Sequence, residues 1–100
     1  MFNKVVMILN ISDFGLIAGE VNSLNIPGIT VSKVEGYGSY INEFSDYGLC
    51  ESLKVEVYTN AEEAQRIADI FSEMAKRMTE GGGIVAIEPV SALLNNKKLT

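Results

Sequence analysis

The sequence predicts an α+β sandwich of the ferredoxin-like kind, a four-stranded antiparallel sheet with two helices on one face. Three observations lead there. Four short runs rich in β-branched residues and two amphipathic stretches follow each other in the order β-α-β-β-α-β. A chain of 100 residues suffices for a single packed core but not for two. Short crossovers and the right-handed connection rule close such an order into one four-stranded sheet, leaving its other face uncovered.

Each element has its own signal. Lys4 to Leu9 (KVVMIL) is a nearly continuous apolar run and reads as a buried strand. Ser12 and Asp13 offer helix N-caps, and Phe14, Ile17, Val21 and Leu24 follow at helical spacing, which predicts a helix over about 13–24. Asn25, Pro27 and Gly28 stop it, and Ile29 to Glu35 (ITVSKVE) make the second strand. Residues 36–52 hold three glycines and no clean period, so they read as a loop of about 17 residues, long for a compact domain. Leu53 to Thr59 (LKVEVYT) alternates, with Leu53, Val55 and Val57 on one face and Lys54 and Glu56 on the other.

Asn60 and Glu63 form a capping-box-like start, with Asn in the Ser/Thr role. Ala64, Ile67, Ala68, Phe71, Ala75 and Met78 then mark the buried stripe of a helix over about 61–79. Its outer face carries Glu62–Arg66 and Glu73–Arg77, acid-before-base pairs four residues apart. Gly81, Gly82 and Gly83 end it, and Ile84 to Ile87 (IVAI) make the fourth strand. Pro89 to Leu94 are compatible with one more helical turn, which places a single domain at 1–94 and a polar tail at 95–100.

Composition narrows the function. Hydrophobic residues at 47% and charged residues at 21% are the balance of an ordinary globular protein. No run reaches the roughly 18 apolar residues of a membrane span, and Asn10, Ser12 and Asp13 interrupt what would be a leader's apolar stretch. The expectation is a cytoplasmic protein. A net charge of −5, with no basic cluster beyond Lys97 and Lys98, argues against nucleic acid as a ligand. There is no histidine, and Cys50 is the only cysteine, so the common general base and the common zinc ligands are missing. A non-enzymatic binding or regulatory module follows, with no catalytic residue, metal or cofactor expected. The strands are too apolar for the uncovered sheet face to stand in water, so oligomerisation through the sheet is expected.

Three features could carry binding. GITVSKVEGYG, residues 28–38, places Gly36 and Gly38 at a strand exit, where the backbone turns sharply or lets a ligand approach; an ordinary strand exit is the commoner reading of such a pair. Gly81–Gly83 exceed what a helix cap needs and leave consecutive N–H groups open, as in a phosphate-holding nest, although a flexible turn explains them too. The long loop interleaves Tyr40, Ile41, Phe44, Tyr47 and Leu49 with acids, which suits either a hairpin tip or a segment that orders on a partner. Cys50 reads as a half-exposed loop thiol.

GITVSKVEGYG after a β-α unit, then a long loop, LKVEV, a helix and a glycine run before IVAI, resembles the PII signal-transduction superfamily over residues 4 to about 94. The resemblance implies a homotrimer with sheets facing inward and adenine nucleotides held in three intersubunit clefts. By the same resemblance Ile29 and Thr30 lie on the adenine side and Gly36, Tyr37 and Gly38 on the phosphate side. Glu56 and Tyr58 flank the nucleotide, and Gly81–Gly83 match the B-loop. Residues 37–52 correspond to the T-loop, with Tyr40, Phe44 and Tyr47 as its partner-binding anchors.

The chain departs from the nitrogen-regulatory pattern. Ser39-Tyr40 stands where members that sense 2-oxoglutarate carry a glutamine, Gly83 runs into Ile84 where a B-loop lysine is usual, and the paired C-terminal arginines are absent. The T-loop is shorter as well. So few cations imply a divergent PII-like sensor of ADP, AMP, ATP or a cyclic adenine nucleotide, rather than tight magnesium-dependent ATP binding. Its output would be a regulated target protein, a membrane transporter among the candidates. The alternatives are a metal-linked CutA-like trimer, which the lack of histidine weighs against, or a trimeric adaptor without ligand.

Overall fold

A computed structural model of the chain describes residues 1–10, 14–24, 26, 28–36, 50–79 and 83–96. The order is β1 (Phe2–Leu9), α1 (Phe14–Asn22), β2 (Thr30–Gly36), β3 (Cys50–Asn60), α2 (Ala61–Met78) and β4 (Ile84–Val90). The strands form one sheet in the spatial order β2-β3-β1-β4 with every pairing antiparallel, the arrangement expected from the sequence.

Register divides each strand between two faces. Val5, Met7 and Leu9 of β1 share one face with Leu53, Val55 and Val57 of β3, and all six are buried. Helix α2 lays Ala64, Ile67, Ala68, Phe71, Met74 and Ala75 on that face, and α1 adds Ile17 and Val21 to the same core. Phe71 is fully buried at the centre. Met74 belongs to the stripe although the sequence reading left it out.

Four boundaries differ from the expectation by two residues or more, each for a backbone reason. Strand β1 begins at Phe2, because Phe2 and Asn3 already face Asn60 and Thr59 on one side and Val90 and Pro89 on the other. Helix α1 closes at Asn22, where the Ser23 hydroxyl and N–H both donate to the Glu20 carbonyl, at 2.7 and 3.2 Å. Strand β3 starts at Cys50, opposite Gly36, so Cys50, Glu51 and Ser52 are strand residues and not loop. Strand β4 runs on to Val90, and the helical turn at 89–94 is absent: Pro89 faces Asn3 in an edge strand, where a missing N–H is tolerated.

The cap of α2 is half of the expected box. Asn60 accepts a hydrogen bond from the Glu63 N–H at 3.0 Å, but the Glu63 carboxylate turns to Arg66 Nε at 2.6 Å. The pairs predicted within α2 are therefore exchanged. Arg66 takes Glu63 rather than Glu62, and Arg77 reaches across to Glu20 of α1 with two hydrogen bonds at 2.9 and 3.3 Å, tying the helices together.

Candidate functional site

The open face of the sheet can be read as rows across the strands. One row joins Thr30, Glu56, Val6 and Ala86; the next, toward the β2–β3 hairpin, joins Ser32, Lys54, Ile8 and Ile84. Beyond these lie Val34 beside Ser52 and then Gly36 beside Cys50. On the other side come Tyr58, Lys4 and Glu88, then Asn60, Phe2 and Val90. The face is thus less uniformly apolar than expected. Val6, Ile8, Ile84 and Ala86 form an apolar centre, and four charged residues sit around it.

Those charges form one network. Lys4 Nζ lies 3.2 Å from one oxygen of Glu56 and 3.3 Å from Glu88, while Lys54 Nζ holds the second oxygen of Glu56 at 3.8 Å. Hydrogen bonds to Glu56 and then to Glu88 raise the Lys4 ammonium above its ordinary pKa. Glu56 is therefore a shared carboxylate between two lysines. Lys4 was missed from the sequence; the alternation that put Lys54 with Glu56 could not reveal a partner whose place depends on the β1–β3 register.

Among the predicted residues, Thr30 and Gly36 fall at two separate ends of this face. Thr30, at the start of β2, is exposed and directly opposite Glu56, with exposed Tyr58 one step along the same strand face. Ile29, just before β2, is partly buried against the core. Gly36 closes β2 six positions further on, about 20 Å away at roughly 3.3 Å per residue. Gly83 lies just ahead of Ile84, whose row runs through Ser32, so along the strands it stands about midway between Thr30 and Gly36. Tyr37, Gly38, Tyr40, Phe44, Tyr47, Gly81 and Gly82 lie outside the described residues.

Gly83 has a local reason of its own. Its φ is +54°, and a Cβ there would stand 2.1 Å from the Ile8 carbonyl oxygen and 3.1 Å from Leu9 Cδ2. The turn can enter β4 against the end of β1 only without a side chain. A cleft of about 500 Å³ opens elsewhere, lined by Met1, Phe2, Pro89, Val90, Ser91 and Ala92, and none of the predicted nucleotide residues lines it. Among the described residues no group of three potential metal ligands gathers, and no helix is long and apolar enough to cross a membrane.

A β-α-β-β-α-β order folded into one four-stranded antiparallel sheet places the chain in the ferredoxin-like class, which by itself fixes no function. Residues 2–95 match the family model for nitrogen regulatory protein P-II, and the chain belongs to that family. Its fold is similar to the B. subtilis GlnK–ATP complex, with a TM-score of 0.65, 19% identity, and 90% of this chain and 83% of that one covered. It is equally similar to Arabidopsis thaliana PII bound to citrate, with a TM-score of 0.66, 23% identity, and coverage of 90% and 78%. A second structure of B. subtilis GlnK gives 0.62 at 17% identity, covering 90% and 85%. No curated protein sequence matches the chain.

Proposed function

We propose that the protein is a trimeric PII-like sensor that binds an adenine nucleotide between subunits and regulates a target protein through residues 37–52. Membership in a family of regulatory, non-enzymatic signal transducers supports the signalling role. One observation carries the site: Thr30, Glu56 and Tyr58 face the same open side as Gly36, but from the other end of the sheet. The roughly 20 Å between Thr30 and Gly36 on one strand exceeds what a compactly bound nucleotide spans. A second copy bringing its own Thr30 end to the Gly36 end of the first removes the difficulty. The apolar centre of the open face gives such copies a surface to bury, and the structural neighbour GlnK is an ATP complex.

On this reading Thr30 and Ile29 take the adenine side, with Glu56 and Tyr58 beside them, and Gly36, Tyr37, Gly38 and Gly81–Gly83 hold phosphates through backbone N–H groups. Tyr40, Phe44 and Tyr47 form the output surface, and a membrane transporter is one target class to test. With no B-loop lysine or C-terminal arginine pair, ADP, AMP or a cyclic nucleotide should bind at least as well as ATP.

Thermal shift with ATP, ADP, AMP, cAMP and cyclic di-AMP, each with and without magnesium, tests the reading. A nucleotide at 100 times its Kd should add about 2.7 kcal/mol of stability. No shift with any of the five would leave an adaptor without ligand.

A further inference from the structure

Among the described residues, Met1 at 92% and Leu94 at 81% are the most exposed large apolar side chains, and Leu93 beside it is 40% exposed. The two leucines follow β4 in a stretch that is neither helix nor strand. Just ahead of them, residues 89–92 line the cleft of about 500 Å³ together with Met1 and Phe2, and no charged side chain enters that lining. The leucines leave from the cleft's own wall and stand exposed, so the chain neither covers them nor fills its cleft with them. Apolar side chains exposed together at one end of a sheet mark a contact surface.

Charge says what covers it. Lys97 and Lys98 follow Leu94 by three and four residues, and residues 89–100 contain no acid. Around the cleft the free charges are acidic. Glu88 is half exposed, shares Lys4 with Glu56, and precedes Val90 by two residues, about 7 Å along the strand. Exposed Glu62 comes next to Ala61, whose N–H donates to the Met1 carbonyl at 3.1 Å. The C-terminal arm thus reads apolar then basic, and the cleft reads apolar with an acidic rim. Three extended residues span about 10 Å, enough for Lys97 to reach that rim with Leu94 seated in a cleft.

We propose that the arm from Leu93 to Lys98 of one copy docks in the cleft of a second copy, its leucines against Phe2 and Val90 and its lysines on Glu88 and Glu62. The partner is this same chain because each copy carries both halves of the contact, and each half lacks its complement within the copy. A head-to-tail contact of this kind closes into a ring. It is separate from the packing of open sheet faces and needs no nucleotide.

Sedimentation equilibrium of the full chain tests the contact, with wild type, an arm variant (Leu93→Ser with Leu94→Ser) and a cleft variant (Ala92→Trp). All three substituted residues are exposed, so the variants should keep the fold and the melting behaviour of the dilute protein. Each variant alone should associate at least about tenfold more weakly than wild type, the loss expected when one leucine side chain stays unburied. Mixed in equal amounts, the two should associate more tightly than either alone, since an intact arm then meets an intact cleft. Lys97→Glu with Lys98→Glu should weaken association too, most at low salt. Variants that associate as wild type does would overturn the arm exchange and leave the open-face trimer standing. A mixture no tighter than its components would overturn it as well, because arm and cleft would then not meet across copies. A wild type that stays monomeric at every concentration would overturn both the exchange and the trimer.

Discussion

Gly83 and Gly19 make opposite demands on a methyl group. At Gly83, alanine would need a left-handed backbone, which costs about 1–3 kcal/mol, and its Cβ would overlap the Ile8 carbonyl. At Gly19 in α1 nothing lies within 4 Å of the added Cβ, and alanine should stabilise the helix by about 0.5–1 kcal/mol. Thermal melts of the two variants should therefore move in opposite directions, and a Gly83→Ala protein as stable as wild type would refute the close approach. The glycine run was visible in the sequence as an excess over capping needs. Its cause at Gly83 was not, because the β1 carbonyl it must clear is more than 70 residues distant in the chain. Glu20 behaves similarly at residue scale. The hydrogen bond from Arg77 depresses its pKa below the ordinary value of 4.5. That stabilising contribution is present above the unfolded pKa and is lost as pH falls through the lower folded value. Arg77→Met should remove this part of the acid sensitivity below about pH 4.5. An unchanged acid limb in a pH series of melts would show that the pair contributes nothing.

At the scale of elements, α2 is the most legible piece and the most consequential. Its helical stripe, apart from Met74, and the Asn60 half of its cap were readable from spacing, whereas the strands it covers were not. Phe71→Ala removes the largest fully buried side chain and should cost about 3–5 kcal/mol, read by chemical denaturation; a loss below 1 kcal/mol would mean the core lies elsewhere. Strand ends were harder. The sequence around Cys50-Glu51-Ser52 has no alternation of its own, and only pairing with Val34, Glu35 and Gly36 makes it strand. Pro89 misled in the same way, since proline reads as a strand breaker until the strand is known to be an edge. Local pattern identifies elements; partners decide where they stop.

Across the whole molecule, the open face governs the function proposed. Its apolar centre was anticipated from the apolar strands, but the Lys4–Glu56–Glu88 network around it required the register of three strands. Exposed ion pairs of this kind contribute little to a lone chain. Covered by a second copy, they would matter more, because a carboxylate left buried without its cation is costly. Lys4→Ala should therefore change the melting of dilute protein only slightly and weaken self-association markedly in sedimentation equilibrium. Equal association of wild type and variant would place the interface elsewhere. The functional site was legible only in part for a related reason. Motif residues suggested the two ends of the proposed site, while the distance between them appears only when β2 is laid out in space.

Complementation between two defective variants tests that account most directly. Thr30→Tyr should block the adenine end and Gly36→Val the phosphate end, and each variant alone should bind no nucleotide while remaining folded and trimeric. Unfolded and refolded together, the two should regain nucleotide binding in a fraction of clefts, those pairing an intact Thr30 end from one subunit with an intact Gly36 end from its neighbour. A mixture that stays as inactive as its components would contradict a site shared between subunits.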